Sequence, residues 1–176
     1  CATTVSIIGD FEPANAMALV KKYYGGYPRA PKPIPQVYTE EPEQSGPRRV
    51  TVQRAGELGV VGLSYKSPAA THPDTAALNV LGHILSSAKT SRFYRALTDK
   101  NLTTSVDASP GYYHDPSLFQ IYANLAPGAT HEQVEKSIIA EIDRLKHDGV
   151  TAAEVQTAVG KLAAANAYKR DGTFAV

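Results

Sequence analysis

With 176 residues, 43% of them hydrophobic and 20% charged, the chain has the length of one ordinary domain, or of two small ones, and enough apolar residues to bury a core. Eighteen basic and seventeen acidic side chains leave a net charge of +1, so no general field favours nucleic acid or an acidic membrane surface. The single cysteine, Cys1, excludes an intrachain disulfide and a cysteine-based metal site, and no apolar run approaches the ~18 residues of a membrane span.

The run TTVSII, with Val5 and Ile7, predicts a buried strand over residues 4–8, ended by Gly9-Asp10. Glu12-Pro13 opens a helix, since proline is tolerated in a first turn. Met17, Val20 and Tyr24 supply its apolar face and Gly25-Gly26 stops it. Half of the twelve prolines fall between Pro28 and Pro47. Each fixes φ and removes a backbone donor, so residues 28–47 read as an extended connector. Val50-Thr51-Val52 and Leu58 to Tyr65 read as two strands, with Ala55-Gly56-Glu57 as the turn of an antiparallel hairpin.

Thr71, Pro73 and Asp74 predict a helix start of the capping-box kind, followed by Ala77, Leu78, Leu81, Ile84 and Leu85 at helical spacing. A polar loop follows, and a second helix opens near Ser91. Leu102, Thr104, Val106 and Ala108 alternate with Thr103, Ser105 and Asp107, which predicts a strand with one polar face. Phe119, Ile121, Ala123 and Leu125 alternate in the same way with Gln120, Tyr122 and Asn124. Thr130 with Gln133, and Thr151 with Glu154, are capping boxes for two further helices. The first buries Val134, Ile138, Ile142 and Leu145, the second Val155, Val159 and Leu162, with a break at Asp148-Gly149. Runs of adjacent strands among helices predict an α+β domain over residues 1–176, an antiparallel sheet with helices packed on one face.

The five histidines (His72, His83, His114, His131, His147) have no second ligand at i+3 or i+4, so no helical zinc site is written here. No serine sits in G-x-S-x-G, and neither G-x-G-x-x-G nor a P-loop occurs. Ten tyrosines stand against four phenylalanines and no tryptophan. Tyr65, Tyr112, Tyr113 and Tyr122 fall on or beside expected strands, where an apolar ring with a polar tip suits a half-buried or wet sheet face.

Five segments, in order, resemble the insulinase/pitrilysin zinc metallopeptidases. They are V-S-I-I-G-D-F from Val5, the proline-rich linker leading to Pro47-Arg48-Arg49-Val50, and Asp74 to Leu85 before S-R-F-Y-R-A-L from Ser91. Leu118-Phe119-Gln120-Ile121 ending in Ala126-Pro127-Gly128, and Gly149-Val150-Thr151 with Glu154, complete the set. The inverted H-x-x-E-H zinc motif is missing, so the resemblance is to the non-metal half-domain, of the mitochondrial-processing-peptidase type. It implies a substrate-enclosing domain with no catalytic residue and no metal ligand of its own. Zinc is expected in a homologous partner half or subunit, an unfolded peptide is the expected substrate, and nucleic acid and a membrane span are not expected.

The resemblance also implies substrate contacts at Ser91, Arg92, Tyr94, Thr98 and Thr104, although the loop Ser86 to Thr90 lacks the glycines of processing-type relatives. Arg92 can equally serve the fold by pairing near a helix N-terminus. A catalytically inactive assembly subunit of the same family and a stand-alone α+β ligand-binding module remain open. Both ends read as interior to a longer polypeptide. The single cysteine leaves the compartment open, with the bacterial periplasm or cell envelope preferred to the cytoplasm.

Overall fold

The computed structural model describes residues 4–28, 31–33 and 42–170. Residues 1–3, including Cys1, residues 29–30 and 34–41 of the proline connector, and residues 171–176 lie outside the described residues. The chain divides into two compact units, Cys1–Gln53 with Tyr168–Val176, and Arg54–Ala167.

In the first unit, helix α1 (Pro13–Tyr24) has proline in its first turn and Lys21 and Lys22 in its last, where cations favour the helix dipole. None of its residues is buried, so Met17 and Tyr24 are exposed rather than forming a covered face. Two strand expectations fail here. Residues 4–8 and 50–52 carry no strand, and Val50 is 85% exposed. A strand exists only where a neighbour takes its N–H and C=O groups, and β-branched composition does not provide that neighbour. The hairpin turn expected at residues 55–57 also lacks its chemistry. Two-residue hairpins need φ > 0, and the positive-φ glycines are Gly9, Gly128 and Gly149, not Gly56.

The second unit holds strands β1 (Val60–Ser67), β2 (Thr103–Pro110) and β3 (Ser117–Leu125) in the antiparallel order β1-β3-β2. Val61 stands opposite Ala123 and Leu63 opposite Ile121, and on the other side Ala108 also faces Ile121. These residues form the inner face. Helix α2 (Asp74–Ser86), a short helix ending in a π turn at Tyr94–Thr98, and helix α3 (His131–Asp148) cover it. Leu85, Phe93, Leu97, Val134 and Ile138 meet Phe119, Ile121 and Leu125 in one core. Helix α4 (Ala152–Lys169) follows α3 across Gly149, whose φ of 72° stops α3. Helices on one face of an antiparallel sheet make this an α+β fold.

Three local details depart from the sequence reading. Thr103 stands opposite Leu125 and Ser105 opposite Asn124, so Thr104 is the extra residue of a β-bulge. Thr103 therefore turns inward and is buried, while Ser105 and Asp107 remain on the outer face with Tyr122 and Asn124. The α2 start has no side-chain cap at Pro73. Instead the His72 ring nitrogen Nδ1 accepts from Asp74 N at 3.2 Å. On α4 the buried residue is Ala158, and Val159 is exposed.

The capping boxes expected at Thr130 and Thr151 both form. Gln133 N donates to Thr130 Oγ1 and Thr130 N to Gln133 Oε1. Glu154 N donates to Thr151 Oγ1 at 3.2 Å and Thr151 N to Glu154 Oε2 at 2.8 Å. Close approach sets the seat of α2. A Cβ at Gly82 would stand 2.6 Å from the carbonyl oxygen of Ala108, and Ala108 N donates to Ser86 Oγ at 3.0 Å.

Candidate functional site

The segment from Ser86 to Thr98 turns the chain from α2 into the short helix, and it is tied down from three directions. Phe93 and Leu97 are wholly buried in the core. Arg92 points the other way, to α4: Nε donates to Glu154 Oε1 at 2.8 Å and Nη2 to Glu154 Oε2 at 3.0 Å. The same Nη2 donates to Gly149 O at 2.8 Å, one of the carbonyls α3 leaves unpaired at its end. Arg95 Nε donates to Thr90 O at 3.0 Å.

Glu154 thus serves two purposes, completing the α4 capping box and receiving the guanidinium as a bidentate pair. The Arg92 hydrogen bonds hold its carboxyl at about 2, against the opposing effect of burial and with further help from Thr151 N and Oγ1. The same contact raises Arg92 above its ordinary value. Both shifts favour the charged pair at neutral pH.

Beside this clamp lies a cavity of about 210 Å³ between α2, the 87–91 loop and α4. Ile84 and Ala158 form its apolar floor, and His83, Ser91, Arg95 and Lys161 bring polar groups to it. Ser91 is 4% exposed, and its Oγ, like His83 Nδ1, is buried without a hydrogen-bond partner. Lys161 Nζ reaches Ser87 O and Thr90 Oγ1, both at 3.3 Å.

The second surface of interest is the outer face of the sheet. Gly62, Tyr122 and Asp107 lie in one row across the three strands, and Ser64, Gln120 and Ser109 in the next. Asn124 Nδ2 donates to Ser105 Oγ at 2.8 Å and Ser109 Oγ to Asp107 Oδ2 at 3.0 Å. Tyr122 is 53% exposed at the middle of this polar face. The two sheet edges differ. The outer edge of β2 is engaged at Ala108 by Ser86, whereas β1, among the described residues, pairs on one side only.

The five expected contact residues do not form one cluster. Ser91 lines the cavity, and Arg92 is consumed by Glu154. Tyr94 opens the π turn, and its carbonyl accepts from Asp99 N at 2.8 Å. Thr98 Oγ1 lies 3.0 Å from Thr103 Oγ1, at the base of β2. Thr104 is the bulged, exposed residue, with Oγ1 3.4 Å from Asn124 O. Sequence reasoning identified Glu154 as a cap and missed it as the partner of Arg92, 62 residues away. It also missed Lys161 and His83 as neighbours, because neither carries a local signal.

Among the described residues no group of three or more His, Cys, Asp or Glu side chains could hold a metal ion. The donor set does not fit zinc: His114 and His147 each meet only the adjacent aspartate, at the surface. Among the described residues no helix is long and apolar enough to cross a membrane.

The family model of the peptidase M16 inactive domain matches residues 2–162. The chain belongs to the peptidase M16 inactive-domain family. This family is the insulinase/pitrilysin type that the sequence resembles, and its inactive half is the one matched. The chain is 33% identical over 154 residues to the zinc protease PqqE of Helicobacter pylori, covering 86% of this chain and 35% of that protein.

Among solved structures, a protease from Helicobacter pylori superposes with a TM-score of 0.84 at 30% identity, over 94% of this chain and 41% of that one. An inactive peptidase domain from Bordetella parapertussis gives a TM-score of 0.58 at 26% identity, over 69% of this chain and 66% of that one. The M16 α+β fold is therefore common to them. This chain spans about a third of the curated relative's length.

Proposed function

We propose that this chain is a substrate-enclosing, non-catalytic domain of a zinc-dependent metalloendopeptidase. A homologous zinc-binding half, on the same polypeptide or a companion subunit, would supply the metal and the carboxylate that activates water. This domain would contribute a wall: an unfolded peptide lies along it and folded proteins are kept out by size.

The observation that carries the reading is the asymmetry of the sheet. One face is sealed by helices into the core, while the other presents Gln120, Tyr122, Asn124, Ser105 and Asp107 to solvent. A polar sheet face bordered by β1, which pairs with no second strand among the described residues, can accept an extended peptide through backbone bonds that tolerate many sequences. Tyr94, Thr98 and Thr104 are the motif residues left to touch such a peptide. Arg92, held by Glu154, acts on it only through the position of the short helix.

The test joins this chain to the zinc half of its own protease. The combination is expected to cleave an unstructured peptide, a chelator abolishes cleavage, and Tyr122→Ser raises KM several-fold with kcat little changed. An assembly subunit instead gives a stable complex whose peptidase activity is the same with and without this chain. A stand-alone binding module gives no complex.

A further inference from the structure

The cavity beside the Arg92–Glu154 pair is separate from the outer sheet face, and the peptide-enclosing role makes no use of it. Its chemistry is specific. The Ser91 hydroxyl is buried and unpartnered, a state that costs about 1–3 kcal/mol unless something binds there. His83 Nδ1 is buried and unpartnered at the same cavity. Lys161 Nζ makes two long bonds, both 3.3 Å, to neutral oxygens, which leaves one of its three donors for a ligand.

The charge balance has a sign. Glu154, the carboxylate in the lining, is neutralised by Arg92, while Arg95 and Lys161 line the cavity bonded only to neutral oxygens of Ser87 and Thr90. The Ser91 hydroxyl and, in one tautomer, His83 Nδ1 can each donate, and both lie with the two cations around the floor of Ile84 and Ala158. About 210 Å³ holds a ligand of amino-acid size.

We infer that this cavity binds a carboxylate on a small aliphatic body, with Lys161 as the counter-charge and Ser91 and His83 as hydrogen-bond donors. One oxygen takes the Ser91 O–H and the other Lys161 Nζ, while His83 donates in the tautomer that carries its proton on Nδ1. The aliphatic part lies on Ile84 and Ala158. Either the C-terminal residue of a peptide or a free short-chain acid has this chemistry.

The test is an NMR titration of this chain at constant ionic strength, following backbone amides and the His83 ring nitrogens. The probes are acetate, N-acetyl-alanine, N-acetyl-alanine amide and inorganic phosphate. Expected are saturable shifts confined to residues 83–95 and 153–161 with acetate and N-acetyl-alanine, and none with the amide. Lys161→Met weakens binding at least tenfold, and Ser91→Ala several-fold while raising the thermal stability of the ligand-free protein, since it removes an unsatisfied buried hydroxyl.

N-acetyl-alanine binding five-fold or more tighter than acetate assigns a peptide C-terminus as the source, and equal affinities assign a free acid. Saturation by phosphate or the amide at the same affinity overturns the carboxylate assignment. Shifts that do not saturate, or that survive Lys161→Met, overturn the site and leave the cavity to ordered water.

Discussion

Replacing Glu154 by glutamine removes one charge and leaves the shape of the side chain. The amide oxygen can still accept from Thr151 N, so the α4 cap is largely retained. What is lost is the bidentate pairing of Arg92, whose side chain is 16% exposed against 25% for Glu154. Exposed pairs contribute about 0–1 kcal/mol, and breaking a fully buried pair costs about 3–5 kcal/mol. This pair lies between these limits. The depression of the Glu154 carboxyl from 4.5 to about 2 sets a ceiling of about 3 kcal/mol on its coupling to the fold. With a quarter of the side chain in water, screening reduces that to about 1–2 kcal/mol.

The pH dependence follows from the direction of the depression. A carboxyl that titrates lower when folded than when unfolded contributes stability that is fully present above the unfolded value of 4.5. That contribution is lost as pH falls toward about 2. Urea unfolding of wild type and Glu154→Gln, measured from pH 7 to the lowest pH at which both fold, is the assay. The expected difference is about 1–2 kcal/mol and constant down to about pH 5, then shrinking steadily as pH falls. A difference below about 0.5 kcal/mol at pH 7, or one that stays constant to pH 3, refutes the account of Arg92 as a clamp.

Gly82→Ala adds a methyl 2.6 Å from Ala108 O. The clash outweighs the helix-propensity gain of about 1 kcal/mol, so thermal denaturation is expected to show a net loss of about 1–3 kcal/mol. Deleting Thr104 should preserve the core, because Thr103 and Ser105 already stand opposite the consecutive residues Leu125 and Asn124. The deletion is expected to keep near-native circular dichroism and to lower peptide turnover of the assembled protease. Unfolding on deletion would show that the bulge is required by the fold. Thr130→Ala removes half of the α3 capping box and is expected to cost about 1 kcal/mol in urea unfolding.

What the sequence shows plainly is what depends on near neighbours. The Thr130–Gln133 and Thr151–Glu154 boxes span three residues, and the alternation from Leu118 to Leu125 is uninterrupted, so each carries its own structure in its pattern. The alternation from Leu102 to Ala108 misleads because a bulge inserts one residue without changing composition, which moves Thr103 from the outer face to the inner. Residues 4–8 and 50–52 mislead for a different reason. Val and Ile report fitness for a sheet and are silent on whether a partner strand is present. The cavity is invisible to any local rule, because His83, Ser91 and Lys161 come from three separate elements.

The S-R-F-Y segment shows what a protease-family motif does in a domain whose described residues hold no metal-binding group. Phe93 fills the core with 0% exposure, and Arg92 binds the carbonyl at the end of α3 and the carboxylate at the start of α4. Two of the four residues therefore hold the short helix in place, a requirement independent of chemistry. The geometry beyond them is less ordinary. Asp99 N reaches Tyr94 O and Leu102 N reaches Leu97 O, each five residues apart, the wider turn that recurs at functional sites. The turn leads into β2, where Thr98 Oγ1 lies 3.0 Å from Thr103 Oγ1, next to the Thr104 bulge. Arg92 and Phe93 thus serve the scaffold, and the substrate contacts proposed above fall to Tyr94, Thr98, Thr104 and the sheet face.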